Sequence, residues 1–198
     1  KPALRIWVVA ASGGEPRPVT ADGTRARSPR WSPDGQSLAF LGSRDSQGAD
    51  QLFVLGESLG EARPLTSGAN GVSAFSWTPD GQSLIAAMPD TAPEDEEAER
   101  GAGRGCFGGG KPRPRARLWR INAATGERAA IDHGDLHVWE LAVAPDGSAV
   151  AAIASDTPHN WAWYHARLVR IDLASGVATT LLAGERQITL PAWSPDGL

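Results

Sequence analysis

The chain of 198 residues contains little cysteine, methionine or tyrosine and has no long apolar runs. A single cysteine, Cys106, excludes an intrachain disulfide framework and a cysteine-rich zinc site. No apolar run approaches the ~20 residues that a membrane-spanning helix requires. The formal net charge of −4 gives no reason to expect nucleic acid or an anionic membrane as a partner.

Glycine, proline and tryptophan are plentiful by contrast, with 23, 15 and 8 residues respectively. Short apolar runs lie between glycine- and proline-containing turn signals, and no long segment has the 3.6-residue apolar period of a helix. This pattern is typical of an all-β protein with many short strands.

A short phrase, W-[ST]-P-D-G, recurs four times. Its copies begin at Trp31, Trp77, Val143 (where Val replaces Trp) and Trp193, at spacings of 46, 66 and 50 residues. Pro, Asp and Gly in this order suit a tight hairpin turn, because Pro fixes φ and Gly accepts the left-handed conformation. An insertion of about 20 residues explains the long interval, so each repeat has the length of one propeller blade.

Each repeat contains four short strands, which predicts a β-propeller of four-stranded antiparallel blades. The chain would hold about three complete blades and parts of two more. The predicted divisions are the end of one blade at 1–27, blades at 28–70, 71–135 (with an insertion at 90–117) and 136–187, and the start of another at 188–198. The alternative is a four-bladed ring, in which a strand at 188–194 joins the two leading strands.

The residues of the repeats indicate a particular protein family as well as a fold. The run SPRWSPDGQSLAFLGSRD, followed by QLFVL, GEARPLT and WTPDGQSL, resembles the N-terminal propeller of the prolyl oligopeptidase family of serine peptidases. The acylaminoacyl-peptidase and dipeptidyl-peptidase-like branches are the most similar. TolB-like periplasmic propellers, which have no peptidase domain, carry almost the same repeat and are the second choice.

The peptidase resemblance implies a two-domain enzyme that hydrolyses short peptides. The propeller would restrict access to a C-terminal α/β-hydrolase domain that carries the catalytic triad. Residues 1–198 contain no G-x-S-x-G nucleophile motif, so we expect no catalytic residue, cofactor or metal in this chain. The expected partners are the hydrolase domain and short peptides, in the cytoplasm. The TolB-like alternative predicts protein–protein interaction in the periplasm.

The insertion at 90–117 is acidic in its first half and basic in its second, which is typical of a surface loop. Two nucleotide-site patterns within it, G-x4-G-K at 105–111 and G-x-G-x-x-G, lack the strand and helix that give such patterns meaning. In dipeptidyl peptidases of the resembled family, a propeller-borne glutamate pair holds the substrate's free amino group. By this resemblance Glu96 and Glu97 are candidate substrate-contact residues.

Aromatic residues provide the other candidates. The sequence HNWAWYHAR at 159–167 interrupts a strand connection, and Trp161, Trp163 and Tyr164 are candidates for a substrate cavity or a domain interface. The alternative is that they only cover their own loop.

Other aromatic and histidine residues are assigned structural roles. Trp7, Phe53 and Trp119 occupy equivalent strand positions and are expected to pack between blades. His133 and His137 are expected in a turn and a strand rather than in a zinc site, because a zinc pair at this spacing requires a helix.

Overall fold

The computed structural model describes residues 4–23, 25–43, 48–68, 71–89, 114–184 and 186–197. Within these ranges lie fourteen strands and one 3₁₀-helix, Asn160–His165. The strands are β1 (Trp7–Val8), β2 (Arg17–Pro18), β3 (Arg25–Trp31), β4 (Leu38–Ser43), β5 (Gln51–Leu55), β6 (Arg63–Pro64), β7 (Ala74–Trp77), β8 (Ser83–Pro89), β9 (Ala116–Asn122), β10 (Arg128–Ile131), β11 (His137–Val143), β12 (Ala149–Ser155), β13 (Arg167–Asp172) and β14 (Ala178–Leu182).

The strands form one two-stranded and three four-stranded sheets, each a simple antiparallel meander. We call them sheet I (β1–β2), sheet II (β3–β6), sheet III (β7–β10) and sheet IV (β11–β14). Three four-stranded antiparallel sheets in succession, preceded by two further strands, confirm the predicted all-β partial propeller. Strand β9 takes in the last two residues of the segment predicted as an insertion, and residues 90–113 lie outside the described ranges.

Successive sheets pack face to face through three apolar clusters. The third strands of sheets II and III, β5 and β9, each contribute to two of them, because alternate side chains of a strand point to opposite faces. In β5, Phe53 and Leu55 lie in the cluster between sheets I and II, whereas Leu52 and Val54 lie in the cluster between sheets II and III. A third cluster, which includes Ile85 from β8, joins sheets III and IV.

The prediction that aromatic residues of the third strands pack between blades is confirmed for Phe53 and Trp119. It is wrong for Trp7, whose side chain is 54% exposed. Phe53 and Trp119 each face the preceding sheet, whereas no described sheet precedes sheet I, and the ring of Trp7 is covered only in part, by the guanidinium of Arg5 at 5.5 Å. In sheet I, Ile6 and Val8 make the contact with sheet II instead.

The repeated phrase forms the turn between the first and second strands of a sheet. In its first copy, the carboxylate Oδ1 of Asp34 accepts hydrogen bonds from the backbone N–H of Gln36 (3.0 Å) and the hydroxyl of Ser32 (2.5 Å). These bonds hold the pKa of Asp34 below its usual range. Gly35 follows with a φ of 71°, the left-handed conformation that the turn requires.

The tryptophan of the phrase links neighbouring sheets. The indole N–H of Trp77 donates to the backbone carbonyl of Arg30 at 3.1 Å, and that of Trp193 donates to Ala142 at 2.9 Å. Both acceptors directly precede a copy of the phrase, so each indole bonds the first strand of the preceding sheet. Trp31, in the first copy, is 48% exposed.

The segment after β14 extends this pattern of packing. Trp193 lies against sheet IV, and within the described residues β1 and β2 pair only with each other. The four-bladed ring, in which residues 188–194 would pair with sheet I, is therefore not the arrangement that the chain adopts.

Candidate functional site

The two ends of the stacked sheets differ in the length of their connections. At one end lie the turns of the repeated phrase and short glycine-containing turns such as 172–177. At the other end the second strands end and the third strands begin; β12 and β13 are joined there by the connection 156–166, and β8 and β9 are separated there by 26 residues of sequence. Because functional residues concentrate on long loops held by a rigid scaffold, the second end is the better candidate for a site.

The connection after β12 forms the 3₁₀-helix Asn160–His165, which the sequence did not predict. Its only buried residue is Ala162, which anchors the helix against the sheet. Trp161 and Tyr164 are 62% and 57% exposed. Large aromatic side chains usually bury most of their area, so two at this exposure indicate a surface that contacts something else.

A β-bulge adds a fourth aromatic side chain. The register between β11 and β12 shifts between Val138 and Glu140, leaving Trp139 as the extra residue. The indole N–H of Trp139 donates to the hydroxyl oxygen of Ser155 at 2.9 Å, and that hydroxyl donates to the carbonyl of Thr157 at 2.8 Å. Bulges commonly redirect a side chain beside a functional site.

The bulge and the helix together form an open cavity of about 550 Å³. Its lining residues are Trp139, Asn160, Trp161, Trp163 and Tyr164. We call it the aromatic cavity. The aromatic cavity thus brings the three predicted residues Trp161, Trp163 and Tyr164 together in one open, mainly apolar surface.

Charged residues beside the cavity are paired with one another. Asp156 makes two hydrogen bonds to the guanidinium of Arg167, at 2.7 and 3.0 Å. This pairing holds the pKa of Asp156 below its usual range and raises that of Arg167. Arg115 donates to the backbone carbonyls of Asp135 (2.6 Å) and Asp156. These bonds tie the residue before β9 to the connection between β10 and β11 and to the start of the connection that carries the helix.

The imidazole rings of His133 and His137 accept hydrogen bonds from backbone N–H groups of β9. His137 Nδ1 accepts from the N–H of Ala116 at 2.9 Å, and His133 Nε2 accepts from that of Leu118 at 3.0 Å. The two rings therefore provide acceptors for backbone N–H groups of β9 near the point where its partner strand β10 ends. Burial, with a smaller contribution from Arg115, lowers the pKa of His137 to about 4. Among the described residues, no group of three or more potential metal ligands lies together.

The sequence-predicted residues divide into two sets. Trp161, Trp163 and Tyr164 line the aromatic cavity, whereas Glu96 and Glu97 lie outside the described residues. Trp139 was missed, because a Trp in an apolar strand is ordinarily assigned to the core. No glycine marks its bulge, so the sequence carries no signal for the redirected side chain.

Comparison with known proteins shows which solved structures have a similar fold. No protein-family model and no curated protein sequence matches the chain. Among solved structures, a protein of Agrobacterium tumefaciens assigned to TolB superposes with a TM-score of 0.67 at 22% identity, covering 98% of this chain and 62% of that one. Puromycin hydrolase superposes with a TM-score of 0.61 at 20% identity, covering 87% of this chain and 24% of that one. Porphyromonas gingivalis dipeptidyl peptidase 4 superposes with a TM-score of 0.54 at 15% identity, covering 87% of this chain and 28% of that one.

The chain is thus a β-propeller domain of successive four-stranded blades. Both predicted groups, the TolB propellers and the propellers of prolyl oligopeptidase-type peptidases, are among its structural neighbours. It spans about three fifths of the TolB-assigned protein and about a quarter of each peptidase. Within the described residues, no helix has the length and apolar character needed to cross a membrane.

Proposed function

We propose that the chain is the propeller part of a serine peptidase of the prolyl oligopeptidase type. In this proposal it gates the access of short peptides to a C-terminal α/β-hydrolase domain that lies outside these 198 residues. The strands before β3 and the segment after β14 would belong to blades that further sequence completes. The enzyme would work in the cytoplasm, in proteolysis of the acylaminoacyl-peptidase or dipeptidyl-peptidase kind.

The aromatic cavity is the observation that carries this proposal. It lies at the end with long connections, two of its lining side chains are more than half exposed, and it has an apolar surface. A wall of this kind can contact a peptide or the neighbouring domain without reacting with it. Trp161, Trp163 and Tyr164 would make that contact, and Glu96 and Glu97 would hold a free amino group.

A kinetic experiment on the complete natural gene product tests the gating role. The substrates are p-nitroanilides of about two to four residues and a polypeptide of about forty residues that contains the same cleavage sequence. Gating predicts rapid cleavage of the short substrates only. Trp161→Ala and Tyr164→Ala should raise KM for them, whereas Val177→Ala, which shortens a similarly exposed apolar side chain in a turn at the opposite end of sheet IV, should not.

The amino-group role has its own variant. Replacing both glutamates by alanine (Glu96→Ala with Glu97→Ala) should raise KM for substrates with a free N-terminus and leave N-acetylated ones unchanged. Equal KM values for both substrate types, before and after replacement, would remove this role from Glu96 and Glu97.

The second candidate is a TolB-like propeller that binds protein partners in the periplasm and catalyses nothing. The superposition on the TolB-assigned protein, which covers 98% of this chain, favours it. In that case the same aromatic surface would contact a protein partner, and the complete gene product would cleave none of the peptides.

A further inference from the structure

The rings of the aromatic cavity fall into two groups. On the sheet side, Trp139 meets the ring of His137 edge-on, with centroids 4.2 Å apart. On the helix side, Trp163 and Tyr164 form an edge-to-face pair at 5.6 Å, and His159 stacks on Trp161 at 6.2 Å. Among the described residues, no ring contact joins the two groups. The cavity is the space between them.

The two groups are also held firmly in place. Trp139 is fixed by its bulge and by the hydrogen bond to Ser155. The helix is fixed within its length by buried Ala162 and at its end by Arg167, which pairs with Asp156. A guest that enters the gap therefore meets a fixed Trp139 indole and a fixed helix backbone, and binding has to order only the exposed side chains of Trp161 and Tyr164.

The charge around the gap selects among guests. Two arginines, Arg115 and Arg167, bond Asp156 at the start of the connection that carries the helix, and both oxygens of its carboxylate are bonded to Arg167. Paired in this way, the carboxylate offers little attraction to a cation. Aromatic faces attract cations, but the positive charge of the two guanidinium groups opposes the entry of an ammonium group. The balance of charge thus favours a neutral apolar guest.

We propose that the aromatic cavity binds a large apolar side chain of a peptide, preferentially an aromatic one. The lining rings, Trp139 on the sheet side and Trp161, Trp163 and Tyr164 on the helix side, can pair with an aromatic guest, and such pairs are favourable at centroid separations of about 4.5–7 Å. This inference rests on the proposed function where it takes the peptide to be the enzyme's substrate. The binding itself can be measured without any catalysis.

The test is a nuclear magnetic resonance titration of the ¹⁵N-labelled 198-residue chain. The indole N–H signals are assigned by single Trp→Phe replacements, and the probe is N-acetyl-L-phenylalaninamide. We expect saturable shifts of the Trp139, Trp161 and Trp163 signals, with about millimolar affinity for a fragment of this size. The signals of Trp77 and Trp193 should stay in place and show that the chain remains folded.

Variants and control probes make the result specific. Tyr164→Ala and Trp161→Ala should each weaken binding by about two- to tenfold, the loss expected for one aromatic contact. Trp7→Ala, with a similarly exposed indole on sheet I, should bind as the unchanged chain does. N-acetylglycinamide and tetramethylammonium chloride should produce no saturable shift.

Three outcomes would overturn the inference: no saturable shift with the phenylalanine amide, unchanged affinity in both helix variants, or binding of tetramethylammonium with equal or higher affinity. The three outcomes do not depend on whether the peptidase proposal is correct. Selective binding in a protein that cleaves nothing would leave the cavity as an aromatic side-chain site of a partner-binding propeller.

Discussion

The indole nitrogen of Trp77 lies 3.1 Å from the backbone carbonyl oxygen of Arg30, so the repeated phrase joins sheet III to sheet II as well as forming a turn. Trp193 makes the same contact with Ala142 of sheet IV. The copy that begins at Val143 has no indole, and there the backbone N–H of Val143 donates to the hydroxyl of Ser76 at 3.4 Å. In these three copies, the first residue of the phrase thus donates a hydrogen bond to the preceding sheet.

Trp77→Phe should lower the free energy of unfolding by about 2–4 kcal/mol. It removes the hydrogen bond to Arg30 and leaves a void in the apolar cluster, since Trp77 is only 8% exposed. Trp31→Phe is the matched control, because its indole is 48% exposed and should change stability by less than about 0.5 kcal/mol. Urea unfolding of both variants measures the difference, and equal losses would contradict a linking role for Trp77.

Gly176 should not tolerate alanine. It has a φ of 73°, and an added Cβ would lie 1.7 Å from the backbone oxygen of Asp132 in the connection between sheets III and IV. Gly134 has a φ of 74° and open space around it. Gly134→Ala should therefore cost only the left-handed strain, about 1–2 kcal/mol, whereas Gly176→Ala should cost more than about 4 kcal/mol. Thermal unfolding of the two variants checks this, and similar Tm values would refute the close approach.

His137 should make the stability depend on pH. Its pKa is lowered from 6.5 to about 4, so between these values the unfolded chain binds the proton more readily than the folded one. The stabilisation is complete above about pH 6.5 and is lost as the pH falls towards 4, by about 2–3 kcal/mol in total.

The variant His137→Asn separates this effect from other titrations. An asparagine side-chain oxygen can accept the N–H of Ala116 but does not titrate. The difference in unfolding free energy between the two proteins should therefore shift by about 2–3 kcal/mol from about pH 7 to about pH 4. A difference that stays constant over this range would show that His137 is not held neutral by the fold.

Ser155→Ala should weaken the support of the aromatic cavity. Ser155 is 4% exposed and is the acceptor for the indole of Trp139. Its loss should cost about 1–3 kcal/mol in the free energy of unfolding and move the Trp139 indole resonance. The exposed hydroxyl of Ser175, which bonds within its own turn, provides the control: Ser175→Ala should cost under about 1 kcal/mol. An unmoved Trp139 resonance in Ser155→Ala would contradict the supporting role.

The fold was predictable from the sequence because its signals are local and repeated. Pro33, Asp34 and Gly35 specify a turn wherever they occur, and four copies give the period of a blade. The exposure of Trp7 was not predictable in this way, because it depends on whether a sheet lies beside it. The 3₁₀-helix was missed because six residues of mixed aromatic character carry no helical period.

The candidate site, like the fold, was predictable only where its signal is local in the sequence. Clustered aromatic residues in a strand connection suffice to predict a contact surface at Trp161, Trp163 and Tyr164. The contribution of Trp139 depends on a bulge in another strand, and its orientation depends on Ser155, sixteen residues away. Such a relationship is set by three-dimensional packing, which a linear pattern does not encode.

The most direct test of the peptidase proposal is to label the complete natural gene product with a fluorophosphonate probe, which reacts with the activated serine of a hydrolase. The 198-residue chain, which has no G-x-S-x-G motif, serves as the control. The proposal predicts stoichiometric labelling of the complete product, blocked by a short peptide substrate, and none of the 198-residue chain. A complete product that stays unlabelled while folded would contradict it and favour a partner-binding propeller.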